Sequence, residues 1–199
     1  MILPKPETRG DLSVEQAIHS RRTVRSFSSE AVILFHLSQL LWAAQGITED
    51  AGGLRSVPSA GALYPTEIYA VTGQNAVEGL EAGVHQYRPA IHGLDRISGR
   101  DIRQDIGRAS LSQMWLANAP VVIVICSEYE RVTGKYGQRG VRYAMIEAGH
   151  VAENIFLQAC ASGMAAGIVG AFMDEDVVRI MDIPATHEPL LIMPAGYPA

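Results

Sequence analysis

The residues best suited to binding an anion lie near the start of the chain, where three arginines fall within five positions, Arg21 to Arg25. If this segment is extended, the two-residue period of a strand places Arg21, Thr23 and Arg25 on one side and Arg22 on the other. Two guanidinium groups and a hydroxyl on one side suit a phosphate dianion, because arginine binds its oxygens bidentately. A second interpretation is that these cations complement the C-terminal dipole of a preceding helix.

Two segments of small residues could bring the main chain close to a flat ligand. The first is PSAGALYP at 58–65, in which Gly61 can adopt a positive φ and Ser59 could cap a short turn whose N–H groups point outward. The second is GIVGAF at 167–172, whose glycines at a strand end would let amides point into a cavity. Simpler interpretations are a surface loop for the first segment and a tight turn between core elements for the second.

The sequence gives little support to other kinds of chemistry. It has no C-x-x-C or H-E-x-x-H spacing for a metal, and neither a Walker loop nor a G-x-G-x-x-G fingerprint for a nucleotide. Cys126 and Cys160 lie in apolar surroundings without an adjacent cation, which predicts buried, unreactive thiols in a reducing compartment. We therefore expect no metal site and no cysteine nucleophile.

The composition is that of a globular protein with a core, since 48% of the 199 residues are apolar. The 16 basic and 21 acidic residues give a net charge of −5, which leaves no positive excess to bind a nucleic-acid backbone. The longest clear apolar run, 121–126, is far shorter than the ~20 residues of a membrane span, and the N-terminus lacks the pattern of a signal peptide. We expect a cytoplasmic protein with no nucleic-acid or membrane partner.

Periodic patterns predict the elements that must position these residues. Helices are predicted near 14–18 after Ser13, over 34–47 with a stop at Gly46, and over 100–109, 141–162 and 174–181; strands over 67–72, 84–87, 121–126, 165–169 and 190–193; and a loop over 50–65. Residues 1–12 are interpreted as an arm and 13–199 as one domain. Because helices and strands do not alternate strictly, the predicted class is α+β.

Taken in order, these segments resemble the nitroreductase family of FMN-dependent flavoproteins, and within it the SagB-type dehydrogenase branch. The motifs that carry the resemblance are SRRTVRSF at 20–27, LLWAAQGIT at 40–48, PSAGALYPTEIY at 58–69, KYGQRGVRY at 135–143, EAGHVAEN at 147–154, GIVGAF at 167–172 and MPAGYP at 193–198. The match runs from about Ser13 to Pro198. It implies a nitroreductase-like fold, with a central mixed or antiparallel sheet flanked by helices and a long central helix at the interface of a homodimer that binds two FMN molecules.

The resemblance also implies roles for individual residues. Arg21, Arg22 and Thr23 would hold the phosphate and ribityl chain, and Arg25 would lie near the pyrimidine edge of the flavin. The loop that a partner subunit lays against the cofactor is matched by Pro58, Ser59 and Ala60. Val169 and Gly170 match the stretch whose N–H faces flavin N5, and Gln113 falls where a polar flavin contact is common. Many family members have a basic pair after the final P-x-G, which this sequence lacks. The phosphate would then depend more on Arg21 and Arg22, or use Arg139 or Arg142.

The activity implied by the resemblance is electron transfer from NAD(P)H, through flavin N5, to a small conjugated acceptor such as a nitroaromatic or a quinone, with ping-pong kinetics. Lys135 and Tyr136 match a pair implicated in azoline dehydrogenases, which abstract a proton from a thiazoline or oxazoline ring of a ribosomal peptide. A neighbouring cation favours the phenolate, which would let Tyr136 act as a base. The alternatives are that 135–137 is a structural loop before the long helix, and that the protein stores or senses flavin without turnover.

Overall fold

The fold is described from a computed structural model that defines residues 1–49 and 53–199. The first three residues of the predicted 50–65 loop lie outside the described residues. The helices are α1 (Val14–Ser20), α2 (Leu34–Gln45), α3 (Arg103–Ala109), α4 (Glu130–Tyr136), α5 (Arg139–Ala161) and α6 (Asp174–Met181). The strands are β1 (Ile47–Glu49), β2 (Leu54–Arg55), β3 (Thr66–Thr72), β4 (Gly83–Arg88), β5 (Gly93–Ser98), β6 (Val121–Ser127), β7 (Ala165–Ala166) and β8 (Glu188–Gly196).

A six-stranded antiparallel sheet, in the order β5-β4-β3-β6-β8-β7, forms the centre of the fold. Every residue of β6 is buried, as expected of a strand that is covered on both faces. One face packs against α2 and α5, and the other against α3 and α6. The prediction of an α+β protein with a central antiparallel sheet is confirmed.

The long helix α5 is the element that reaches most of the predicted site segments. Its buried residues repeat at helical spacing from Ala144 to Ala159, and Gly163 follows its end with a φ of +66°. The helix begins at Arg139, two residues before the predicted start. Ser13 caps α1 as predicted, since its hydroxyl accepts a hydrogen bond from the N–H of Gln16.

Three local features differ from what the sequence pattern indicated. The strand predicted over 165–169 is continuous only over Ala165–Ala166, although the N–H groups of Gly167 and Val169 still donate to β8, to the Pro194 and Ile192 carbonyls at 2.8 Å. Strand β5 was missed, since as an edge strand it alternates apolar and polar residues only weakly. The segment before α5 that contains Lys135 and Tyr136 is helical rather than a loop.

The N-terminal segment covers the edge strand β5. The N–H of Leu3 donates to the carbonyl of His92 at 3.0 Å, and the N–H of Leu94 donates to the carbonyl of Met1 at 2.8 Å. The His92 ring lies between this segment and β4, with Nε2 2.9 Å from the Pro4 carbonyl and Nδ1 2.8 Å from the Tyr87 hydroxyl. Unpaired groups of an otherwise open sheet edge are thereby satisfied within the chain.

Two histidines near this edge, the partly buried His92 and the buried His85 on β4, predict a loss of stability in mild acid. Burial lowers the pKa of His92 and of His85, so that the fold favours the neutral imidazoles. The unfolded chain takes up these protons below about pH 6.5, and the free energy of unfolding should therefore fall as the pH drops from 7.5 to 5.5. Urea unfolding at several pH values measures this, and a His85→Asn/His92→Asn variant should show a smaller change over that range. An equal change in both proteins would contradict the prediction.

Candidate functional site

The predicted anion-binding segment is extended, and it runs beside β7. Thr23 forms a parallel bridge with Ala166, and the N–H of Val24 donates to the Ala166 carbonyl at 2.9 Å. The guanidinium of Arg21 lies 5.5 Å from the ring centroid of Phe156 on α5. The guanidinium of Arg25 lies 5.6 Å from the Trp115 ring. Aromatic faces thus position both of these cations.

Arg22 takes a different place from its neighbours. Its Nη1 donates to the carbonyls of His19 at 2.8 Å and of Arg21 at 2.7 Å, at the C-terminal end of α1. This geometry supports the helix-end interpretation for Arg22. Arg21 also has an acidic neighbour, since its Nε lies 3.6 Å from Glu153 Oε1. The three arginines are therefore not equivalent.

The glycine-containing segment at 167–172 forms the second side of this region. The N–H of Val169 donates to the carbonyl of Ile192 at 2.8 Å, so it is not available to a ligand, contrary to the expectation for this residue. Gly170 is exposed, and its N–H has no main-chain acceptor within the described ranges. The side-chain amide of Gln113 donates to the Ala171 carbonyl at 3.3 Å. Of the two residues predicted to face N5, only Gly170 keeps that capacity.

The loop at 58–65 has a conformation that non-glycine residues rarely adopt. Gly61, Ala62 and Tyr64 have φ values of +63°, +53° and +47°. The hydroxyl of Ser59 accepts a hydrogen bond from the N–H of Tyr64 at 2.9 Å. Ser59 therefore stabilises the loop from within, and it does not cap an outward-facing turn as expected.

Lys135 and Tyr136 lie against this loop, far from it in sequence. A Cβ at Gly61 would be 2.7 Å from the Tyr136 hydroxyl and 3.0 Å from Lys135 Nζ. Lys135 Nζ is 5.4 Å from the Tyr136 ring centroid, and the Tyr136 ring meets the Tyr143 ring edge-on at 5.3 Å. The structure thus brings two of the predicted site segments together.

The predicted residues occupy two separate clusters within one chain. We call the first the arginine cluster, formed by Arg21, Thr23, Arg25, Trp115 and 167–170, and the second the tyrosine cluster, formed by 58–61, Lys135, Tyr136 and Tyr143. Helix α5 contacts the first through Phe156 and the second through Tyr143, positions about 20 Å apart along its axis. Arg139 lies over Tyr143, and Arg142 lies on the same turn of α5. Neither can therefore share a phosphate with Arg21 of the same chain.

A further polar group was not predicted from the sequence. Glu67, Glu128 and His187 lie at the ends of β3, β6 and β8, with one oxygen or nitrogen from each within 4.8 Å of the others. Arg131 pairs with both carboxylates. A polar cavity of about 460 Å³ adjoins them. The charges at 128 and 131 had no periodic context that distinguished them from solvated surface, and neither did Trp115 or Phe156 carry a motif.

The thiols are unsuited to nucleophilic chemistry. Burial raises the pKa of Cys126, which is fully enclosed, and burial also raises the pKa of Cys160. Cys160 is partly exposed, which corrects the expectation that both thiols are buried. No helix in the described part of the chain is long and apolar enough to cross a membrane.

Comparison with known proteins identifies the family. The model of the nitroreductase family matches residues 18–197, a range that contains every segment of both clusters. The chain belongs to the nitroreductase family. A relative from Methanocaldococcus jannaschii that is named a nitroreductase is 41% identical over 186 residues, covering 94% of this chain and 91% of the relative.

Two further proteins are similar to this chain. The crystal structure of a Ralstonia eutropha nitroreductase superimposes with a TM-score of 0.86 at 26% identity, covering 99% of this chain and 88% of that one. The microcin B17-processing protein McbC of Escherichia coli is 28% identical over 148 residues, which is 72% of this chain. The matched segment spans about half, 54%, of that relative. The nitroreductase fold predicted from the sequence is confirmed.

Proposed function

We propose that the chain is an FMN-dependent oxidoreductase that passes electrons from NAD(P)H to a small conjugated acceptor, such as a nitroaromatic or a quinone. The observation that carries the proposal is the arginine cluster. Two guanidinium groups lie there on aromatic rings, and the adjoining segment 167–170 ends in an exposed glycine whose N–H has no main-chain acceptor in the described structure. Membership of the nitroreductase family supports the class of reaction.

The residues of the arginine cluster fit the chemical groups of FMN. Bound FMN would supply the hydride acceptor. Arg21 and the Thr23 hydroxyl would bind the phosphate, while Arg22 would add its charge from the end of α1. Arg25 would place a positive charge beside the pyrimidine edge, where reduction increases negative charge. The N–H of Gly170 would donate to N5.

A homodimer would unite the two clusters, which lie far apart in one chain. We propose that the tyrosine cluster of one protomer completes the arginine cluster of its partner. Met145 and Ile146 on α5 are more than half exposed, as are Val14 and Ile18 on α1. Gly149, in the middle of α5, costs about 1 kcal/mol relative to alanine, and its Cβ position is open to 4 Å in the described structure. An apolar helical face with a glycine at its centre suits close packing against a second helix.

A second candidate is an azoline dehydrogenase, to which the contact between Gly61 and the Lys135–Tyr136 pair gives specific support. The similarity to the microcin B17-processing protein also favours it. In this reaction Tyr136 would be the base that removes a proton from the azoline ring, with the charge of Lys135 beside it, and bound FMN would supply the hydride acceptor.

The proposal is tested on the protein as purified. Denaturation should release FMN, and anaerobic mixing with NADPH or NADH should bleach the flavin within seconds. Menadione or 4-nitrobenzoate should then restore its colour, and sedimentation should give twice the 21.5 kDa mass of the chain. Bound FMN that neither coenzyme reduces would contradict the NAD(P)H reductase; oxidation of a thiazoline peptide would then favour the second candidate, and no turnover at all would favour flavin storage.

A further inference from the structure

Arg131 on α4 joins three segments that are separate in sequence. Its Nη2 lies 2.6 Å from Glu67 Oε1 at the start of β3 and 2.5 Å from Glu128 Oε2. Its Nη1 donates to the main-chain carbonyl of Tyr64 at 3.1 Å. A single guanidinium therefore connects the loop at 58–65 with the sheet and with α4. Only arginine offers donors in the fixed plane that this arrangement uses.

The loop needs such a connection because its backbone is strained. Ala62 and Tyr64 both have a positive φ, which costs free energy in residues with a Cβ. Tyr64 is held at every polar group: its N–H by Ser59, its hydroxyl by the N–H of Arg55 at 3.2 Å, and its carbonyl by Arg131. The Arg55 guanidinium also lies 4.3 Å from the centroid of its ring.

The same anchor fixes the tyrosine cluster from the side of α4. Arg131 and Lys135 are four residues apart, so they lie on one face of the helix, one turn from each other. Because Arg131 bonds to the loop, it sets the place where Lys135 and Tyr136 meet Gly61. The Glu67 carboxylate, with which Arg131 pairs, is itself oriented, because the side-chain amide of Gln86 donates to Glu67 Oε2 at 2.8 Å.

The group is organised as an ion-pair network and not as an open metal site. The Arg131 guanidinium already forms ion pairs with both carboxylates. His187 is oriented by its contact between Nδ1 and the Tyr69 hydroxyl at 2.6 Å, and its Nε2 stays 4.0 Å from Glu128. Charges that hold each other in this way fix geometry, which is the property that a shaped active site needs.

We propose that Arg131 is a positioning residue, which holds the 58–65 loop and the Lys135–Tyr136 pair together as one rigid half of the active site. The structural part of this proposal does not depend on the proposed function. Only the expected consequence for turnover rests on it. Arg131 itself would touch neither flavin nor substrate.

Amide hydrogen exchange of the purified protein tests the structural part. In Arg131→Met, exchange at residues 62–64 should be at least about tenfold faster than in the wild type, while exchange in β6 stays unchanged. Arg131→Lys, which keeps the charge and loses the planar group of donors, should be intermediate. Arg108→Met is the matched control, because Arg108 makes a comparable ion pair, with Asp105 on the exposed face of α3. Wild-type exchange at 62–64 in Arg131→Met would overturn the proposal.

A double-mutant cycle with Glu67→Gln shows whether the contacts act as one unit. If they do, the double variant Glu67→Gln/Arg131→Met should exchange no faster at 62–64 than Arg131→Met alone. Additive accelerations would contradict the proposal. Should Arg131→Met fail to fold, Arg131→Lys and Glu67→Gln still decide, since both keep the volume of the side chain.

Kinetics tests the consequence for turnover. Acceptor reduction by Arg131→Met should show a kcat about tenfold lower at unchanged flavin content and unchanged KM for NADPH, because the tyrosine cluster is displaced while the arginine cluster is intact. An unchanged kcat together with fast loop exchange would overturn the positioning role. If wild type and variants alike fail to react with NADPH, the proposed function fails, and the exchange result still tests the anchor.

Discussion

Replacing Arg21 with glutamine should yield a protein that binds FMN at least about a hundredfold more weakly than the wild type. A bidentate, charge-assisted contact to phosphate contributes about 3 kcal/mol, and each 1.4 kcal/mol is a factor of ten in affinity. Arg22→Gln should lower the affinity for FMN by a smaller factor, because the Arg22 guanidinium already donates to two carbonyls at the end of α1. Flavin fluorescence on titration of the stripped protein measures both affinities.

The matched control for this prediction is Arg179→Gln. Arg179 is an exposed arginine on a helix, paired with Asp176 as Arg21 is paired with Glu153, but it lies on α6. The Arg179→Gln variant should bind FMN with the affinity of the wild type. Equal FMN affinity in Arg21→Gln and Arg179→Gln would show that the arginine cluster does not bind the phosphate. The proposed site would then lose its main support.

Replacing Gly61 with alanine should abolish most of the turnover while leaving flavin binding intact. The new Cβ would lie 2.7 Å from the Tyr136 hydroxyl and 3.0 Å from Lys135 Nζ, so one side of the tyrosine cluster must move. We expect at least a tenfold lower kcat, because in the proposed dimer the tyrosine cluster completes the partner's active site and a displacement of about 1 Å there has effects of that order or larger. Stopped-flow reduction and steady-state turnover separate the flavin-dependent steps.

Gly163→Ala is the control that separates backbone strain from contact. Gly163 has nearly the same φ, +66° against +63°, but its Cβ would have nothing within 4 Å in the described structure. Both variants should lose about 1–2 kcal/mol of stability from the positive φ, whereas only Gly61→Ala should lose turnover. The added change Tyr136→Phe should restore part of the stability of Gly61→Ala, because it removes the closest atom. A turnover loss shared equally by Gly61→Ala and Gly163→Ala would contradict the assignment.

The sequence by itself determined the fold class and most of the elements. The fully apolar run of β6 and the long periodic stripe of α5 are signals of burial, and burial depends mainly on local pattern. The motif order from Ser20 to Pro198 also led to the nitroreductase family, which the family match confirms. Element ends were less well predicted: β7 ends at Ala166 although Gly167 and Val169 still donate hydrogen bonds to β8, and such pairing between distant segments is not contained in the local pattern.

Only the tertiary structure decided how the site residues relate to one another. Neither the bond from the Val169 N–H to Ile192 nor the position of Arg22 at the end of α1 follows from a motif. The meeting of Gly61 with Tyr136, and the anchor that Arg131 provides, join residues about seventy positions apart. A motif specifies residue types and their spacing along the chain, whereas the contacts between distant segments depend on strand register and helix packing. Those are set by the whole core at once.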